Sequence, residues 1–317
     1  MREHQIFTNK FWVPILAITA CILWGTAFPF LKISYHELMI EKTDFFSKLL
    51  FASYRFFIAS LILLGHLYFK QGKESLKVKK EFIKPLLILG LFQTTLQYSF
   101  FYNGLANTTG IKASILGTSG IFLTVVTSHF IYVSDKLNTR KILGLIVGFL
   151  GVLIVNINRG SFDFAFNFLG EGFILIAGTV SAVAAILAKD LANKIFPQII
   201  TGYQMLLGSL VLFLISITRV EASSLNFTIK TFSIMIYLAF VSAVGFGLWY
   251  TLIKYNSLGY ISIYKFMIPV SGVLFSNILL VEENISINIL IALLLVSIGI
   301  FIINFRIKKK NTKVLQE

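Results

Sequence analysis

Long apolar runs, each closed by a short cluster of charged or turn-forming residues, recur along almost the whole chain. Ten of them fall near residues 13–31, 49–69, 84–103, 112–133, 141–157, 168–189, 198–218, 231–250, 260–280 and 286–305. Each is close to the roughly 20 mainly apolar residues that a helix needs to cross the hydrocarbon of a bilayer. The pattern predicts an all-α integral membrane protein of ten transmembrane helices. Only short loops and tails remain between and beyond the runs, so no separate soluble domain fits.

The runs also repeat. Shifted by 149 residues, 54–63 falls on 203–212, matching Tyr54 with Tyr203, Arg55 with Gln204 and Ser60 with Ser209. Shifted by 148, Tyr102 meets Tyr250, Ser114 meets Ser262, Asp135 meets Glu283, Gly151 meets Gly299 and Asn156 meets Asn304. Two copies, 13–157 and 168–305, are followed by a basic tail, 306–317. Ten helices in two copies is five each, and an odd number per copy inverts one relative to the other. Inverted repeats around a midplane site are a construction of secondary transporters.

Composition agrees with the pattern: 56% of the residues are hydrophobic and 13% charged, which excludes a water-soluble domain with one core. The net charge of +14 is explained by topology rather than by nucleic acid. Alternate loops carry nineteen lysines and arginines on one side, including 70–84 and 306–313, against six on the other, Lys32, Lys42, Lys48, Arg159, Arg219 and Lys230. The positive-inside bias predicts a multi-pass protein of the cytoplasmic membrane with both termini in the cytoplasm. The basic loop and tail are expected to meet lipid head groups. The first run is too long for a signal peptide and lacks a small-residue cleavage site after it, so it reads as a retained helix. With Cys21 as the single cysteine and four histidines lacking ligand spacing, neither a disulfide nor a metal or other cofactor is expected.

Several short segments carry a family resemblance. Trp24-Gly25-Thr26-Ala27-Phe28, Arg55-Phe56-Phe57-Ile58-Ala59, and Pro269-Val270 followed by Glu282-Glu283 resemble the EamA repeat of the drug/metabolite transporter superfamily, in both copies. The resemblance implies two inverted five-helix repeats, and a central substrate cavity lined mainly by helices 1, 3, 4, 6, 8 and 9. It also implies movement of small metabolites across the cytoplasmic membrane, often outward. The first copy departs from the pattern, with Ile121 or Phe122 in place of the proline and Asp135 in place of the glutamate, which makes the halves chemically unequal.

Ionisable groups inside apolar spans cost about 2.5–3.5 kcal/mol at the bilayer centre on insertion scales and are functional candidates by default. Arg55 is expected to snorkel to the outer surface in a structural role, and Lys112 to reach water at the start of the fourth span. Lys265 is more suggestive. Pro269, four residues on, has no N–H to offer the Lys265 carbonyl, and Ser262, Lys265, Pro269, Gly272 and Ser276 share a helix face. A cation on a cavity-lining face attracts a carboxylate or phosphate; the alternative is a lysine reaching the cytoplasmic surface. Gln93 with Gln97, Tyr98 with Tyr102, Ser114 with Thr118, and Trp249 with Tyr250 place neutral polar and aromatic groups at similar spacing. Each serves either substrate or helix packing. Trp24 is a cavity wall or a packed aromatic. Gly117, Gly120, Gly144, Gly148 and Gly151 are expected at close helix contacts, and Gly25 with Pro29 at a bend.

Asp135, Glu171, Asp190, Glu282 and Glu283 all fall near span ends, which disfavours a proton-coupled exporter built on a buried carboxylate. No hydrolytic or nucleotide-binding motif is present, and no enzyme is expected. The reading is a secondary transporter and exporter of small metabolites such as amino acids or related organic solutes. Trp24, Gln93, Gln97, Tyr98, Thr118, Trp249, Tyr250 and Lys265 are its candidate substrate residues. The alternative is a lipid-interacting flippase or a membrane sensor without transport.

Overall fold

The computed structural model describes residues 3–156, 166–280 and 287–304. The Glu282-Glu283 pair and the tail from 306 lie outside the described residues. Among the described residues the regular structure is entirely helical: α1 (Glu3–Thr8), α2 (Trp12–Glu37), α3 (Phe45–Gln71), α4 (Lys80–Gly90), α5 (Gln97–Ala106), α6 (Gly110–Gly117), α7 (Ser119–Ile131), α8 (Thr139–Asn156), α9 (Phe173–Ala192), α10 (Pro197–Ser216), α11 (Ile229–Tyr255), α12 (Leu258–Ser262), α13 (Met267–Leu279) and α14 (Ile287–Asn304). Nine helical stretches among the described residues, some running through several of these elements, are long and apolar enough to cross a membrane.

The third predicted span is helical but irregular. A π-helical segment, Leu91–Leu96, joins α4 to α5. Its neighbour is α10, which approaches so closely that a Cβ at Gly90 would lie 2.7 Å from the Gln204 carbonyl oxygen. Thr94 donates to Gln204 Oε1 at 2.7 Å, and Thr95 to the Gly208 carbonyl at 3.1 Å. A local π turn widens the helix where side chains of a neighbour anchor it.

Helices pack in a fixed set of pairs: α3 on α10, α8 on α14, α2 on both α11 and α13, and α9 on both α5 and α7. Lipid tails are as apolar as leucine, so close backbone approach through small residues does much of the work. A Cβ at Gly25 would lie 2.1 Å from Ser271 Oγ and 2.9 Å from the Gly272 nitrogen; one at Gly178 would lie 2.5 Å from Ser119 Oγ and 3.0 Å from the Gly120 nitrogen. Gly144 and Gly148 meet Gly299, and Gly151 meets Ala292 and Val296. The contact role expected for four of the five glycines is met, whereas Gly117 faces open space. Gly25 makes a close helix contact as well. It lies within α2, which continues past Pro29, and its missing side chain admits the close contact with α13.

The ends of the bundle hold buried ion pairs. Lys112, 8% exposed, lies 3.2 Å from Glu171 rather than in water, and Glu171 also accepts from Thr108 at 2.6 Å and the Asn167 amide at 2.7 Å. Asp135, near the start of α8, accepts from the Lys141 ammonium and from the Gly259 amide at 2.6 Å.

Candidate substrate site

The site is organised on α11. A reciprocal Thr228–Thr231 capping box starts this helix, and it runs unbroken to Tyr255. Ser242, Gly245, Phe246 and Trp249 recur at the three- and four-residue spacing that puts side chains on one face, the face against α2. Gly245 makes the notch. A Cβ there would lie 2.6 Å from Trp24 Nε1, so only glycine lets the indole seat against α11. The Trp24 ring stands 4.9 Å from Phe246, edge to face, and 5.4 Å from Trp249. Its Nε1 is buried without a hydrogen-bond partner.

Lys265 enters from the other side. It sits in a 3₁₀ turn, Ile263–Phe266, inserted between α12 and α13, four residues before Pro269. A 3₁₀ stretch inside a membrane helix re-aims the side chains that it carries. The Lys265 ammonium lies 5.0 Å from the centre of the Trp249 ring, and Trp249 is only 2% exposed. Lys265 itself is half-buried, with its ammonium turned onto the ring of a buried tryptophan. Among the described residues no carboxylate comes within 4.0 Å of it, and its side chain makes no hydrogen bond. Cys21 is fully buried as a free thiol.

One turn along, Tyr250 donates to Gln93 Oε1 at 3.4 Å, and Gln93, on the π-helical segment, donates to Gln97 Oε1. Tyr98 stacks edge to face on Phe56 at 4.7 Å and lies 5.6 Å from Tyr102. The fold thus brings Trp24, Trp249 and Lys265 into one contact group, joins Tyr250 to Gln93 and Gln97, and sets Tyr98 beside them. Thr118 is apart. Buried at the junction of α6 and α7, it spends its hydroxyl on the Ile115 carbonyl of its own helix at 2.6 Å.

Two partners of this group were not singled out on sequence. Phe246 is signalled only by its place on the 242–245–249 face. Ser242 accepts the Nε–H of Arg55 at 2.8 Å. That contact reverses the expectation for Arg55, which is 2% exposed and does not reach the surface. Among the described residues, no three of His, Cys, Asp and Glu cluster as metal ligands do.

Two open clefts lie away from the group. One, of about 580 Å³, lies between α4 and α9 and is lined by Glu81, Phe82, Pro85, Leu187, Asp190 and Lys194. The other, of about 420 Å³, surrounds the Lys112–Glu171 pair with Lys42, Asn107 and Thr109.

The description "EamA-like transporter family" matches this chain over residues 11–157 and again over 168–305. An uncharacterized transporter of Archaeoglobus fulgidus is 27% identical across 85% of this chain and 89% of its own length. The uncharacterized transporter YetK of Bacillus subtilis is 29% identical across 78% of this chain and 74% of its own. For YoaV of the same organism the identity is 25%, across 93% and 97%. A solved crystal structure at 17% identity superposes with a TM-score of 0.72, covering 91% of this chain and 95% of the other, a likeness of fold.

Proposed function

The chain belongs to the EamA-like transporter family, and from that premise we propose that it is a secondary carrier that moves small organic solutes bearing an anionic group across the cytoplasmic membrane. In this reading residues 80–106 make a tenth crossing, the two copies are inverted five-helix repeats, both termini are cytoplasmic, and net movement is outward. No chemical step is assigned to it.

The repeat reading is supported by contacts that occur twice. Arg55 bonds Ser242 and Gln204 bonds Thr94, and the shifts of 149 and 148 residues carry each pair onto the other. Gly25 against Ser271-Gly272 has its counterpart in Gly178 against Ser119-Gly120, and Gly144 against Gly299 has its counterpart in Gly151 against Ala292. The helix pairing obeys the same exchange: α2 with α13 answers α9 with α7, and α2 with α11 answers α9 with α5. Such an arrangement suits alternating access, in which a midplane site is exposed to one side at a time.

One observation carries the substrate reading: the Lys265 ammonium lies over the buried Trp249 ring with no counter-anion. Placing a lysine deep in a span costs about 2.5–3.5 kcal/mol. A desolvated cation–π contact returns about 2 kcal/mol. The contact offsets part of that cost but supplies no counter-charge, which an anionic group on the solute would. Trp24, Trp249, Tyr250 and Tyr98 supply apolar walls, while Gln93 and Gln97 supply amide donors and acceptors for the rest of the solute. Thr118 joins the site only through movement of α6 and α7.

Counterflow in proteoliposomes tests this directly, with radiolabelled amino acids, organic acids, nucleosides and cationic dyes, for the wild type and Lys265→Gln. The expected result is uptake of an anionic or zwitterionic solute that Lys265→Gln loses. Equal uptake by both proteins removes Lys265 from the site. Absence of any soluble substrate in the wild type overturns the carrier reading in favour of a lipid substrate or a role without transport.

A further inference from the structure

We propose that Arg55 and Lys265 are the two ends of one site, and that the substrate is an organic dianion, two anionic groups joined by a flat apolar body. The inference rests on the carrier reading above and names its substrate class.

Arg55 is the starting point. Among the described residues, four basic side chains are buried: Lys48, Arg55, Lys112 and Lys141. Three have a carbonyl or carboxylate oxygen for their charge. Lys48 donates to the Lys42 carbonyl, Lys112 pairs with Glu171, and Lys141 pairs with Asp135. Arg55 has neither. Of its five N–H groups, only Nε–H is bonded, to the Ser242 hydroxyl, and among the described residues no carboxylate lies within 4.0 Å. The guanidinium carbon lies 5.0 Å from the centre of the Phe56 ring, a cation–π contact that supplies no counter-charge, and a fork without an anion in a low-dielectric interior is suited to a planar oxyanion.

Its surroundings are short of acceptors and long on donors. Tyr102, 3% exposed, and Tyr35 bury their hydroxyls close to each other, and neither bonds any other group among the described residues. Both lie within electrostatic reach of Arg55. Two phenol donors beside an uncompensated guanidinium make a receptor for negative charge. Packing does not require the charge. The counterpart contact in the other half, Gln204 with Thr94, is made by a neutral amide.

The two cations belong to one site because α11 connects them. Arg55 is fixed on Ser242 and Lys265 on Trp249. These positions are seven residues apart on one face of an unbroken helix, or about 10 Å at 1.5 Å per residue. Between them are Gly245, Phe246 and the Trp24 indole, an aromatic wall whose buried Nε1–H is itself unpartnered. A carboxylate at each end and a ring or short alkyl chain between them satisfies both cations and leaves the wall in apolar contact. A monoanion satisfies only one end.

Binding is measured on the purified full-length protein through tryptophan fluorescence, since Trp24 and Trp249 line the site. Terephthalate is compared with benzoate, and straight-chain dicarboxylates of four, six and eight carbons with the matching monocarboxylates. The expected result is at least tenfold tighter binding of the dianion than of its monoanion. Arg55→Gln and Lys265→Gln each erase that preference, and Arg55→Lys keeps part of it. Tyr102→Phe weakens the dianion more than the monoanion. Equal affinity of the wild type for dianion and monoanion overturns the proposal even if Arg55→Gln fails to fold, and so does a preference that survives Arg55→Gln. Counterflow of the same solutes separates the two claims: flux without dianion preference keeps the carrier and removes the paired site, whereas tight dianion binding without flux keeps the site and removes the carrier.

Discussion

Asp135→Ala is expected to be among the most destabilising single substitutions outside the substrate group. Asp135 is 1% exposed and ties three segments together. Its carboxylate neutralises Lys141 at the start of α8 and receives the Gly259 amide of α12, the short helix that leads to the Lys265 turn. Gly259 is what allows the approach, because a Cβ there would stand 3.2 Å from the carboxylate. Removing one partner of a buried ion pair costs about 3–5 kcal/mol. Lys141 keeps two carbonyl acceptors, those of Asp135 and Lys136, both at 3.0 Å, so the lower end applies, about 3 kcal/mol. The abandoned Gly259 amide adds about 1 kcal/mol.

A loss of about 4 kcal/mol, at about 2 °C per kcal/mol for a chain of this size, is a fall of about 8 °C in unfolding midpoint. The assay is a thermal scan of purified protein in detergent at one fixed rate, because unfolding of such a protein is a rate as much as an equilibrium. Lys141→Met is measured alone and combined with Asp135→Ala. Coupling of the two groups predicts that the double variant loses clearly less than the sum of the singles. A midpoint for Asp135→Ala within 2 °C of the wild type, or strict additivity in the double variant, refutes the reasoning.

Other outcomes follow from close contacts. Gly25→Ala and Gly178→Ala each drive a Cβ to within 2.5 Å of a serine Oγ, so both are expected to lower the midpoint by the equivalent of about 1–3 kcal/mol. Gly117→Ala, which meets open space, is expected to leave it unchanged or raise it in the same scan. Gly245→Ala fills the notch that holds Trp24 and is expected to shift the tryptophan emission maximum and weaken solute binding; an unchanged spectrum shows that the indole never needed the notch.

The spans were legible in the sequence because burial in lipid leaves a long unbroken apolar signature. Their irregular turns were not. The π-helical Leu91–Leu96 and the 3₁₀ turn Ile263–Phe266 carry more polar residues than the helix around them, but polarity inside a span does not say which turn the backbone makes, and only Pro269 hinted at one of them. Polar partners were hidden for a different reason. Arg55 read as a snorkelling residue because Ser242 is 187 positions away, and Lys112 read as solvated because Glu171 belongs to the other copy. The repeat itself held the missing information. The shift of 149 carries Arg55 to Gln204 and that of 148 carries Thr94 to Ser242, so either contact predicts the other once one is known. The constant shift of 148 has its own limit: the glycine contacts relate Ser119 to Ser271 and Gly25 to Gly178, offsets of 152 and 153. The difference is about one helical turn, and the inserted 3₁₀ turn beside Lys265 lies where the registers part.

The tightest contacts also constrain how such a carrier could move. Helices whose backbones touch through glycine and serine clash when they slide, so in the proposed carrier cycle α2 is expected to travel with α13 and α7 with α9. Each of these pairs takes one helix from each copy. Under the alternating-access mechanism proposed above, the bodies expected to rock are mixed sets, α2, α11 and α13 on one side and α5, α7 and α9 on the other, rather than the sequence repeats themselves. Trp24, Trp249 and Lys265 all belong to the first set, and Gln93, Gln97 and Tyr98 to the second or to the segment that leads into it. Tyr250 and Gln93 meet across the seam with a hydrogen bond of 3.4 Å, long for its kind. A weak polar contact there, flanked by rigid glycine contacts on both sides, is the distribution of strength that lets a site open along one line while its walls keep their shape.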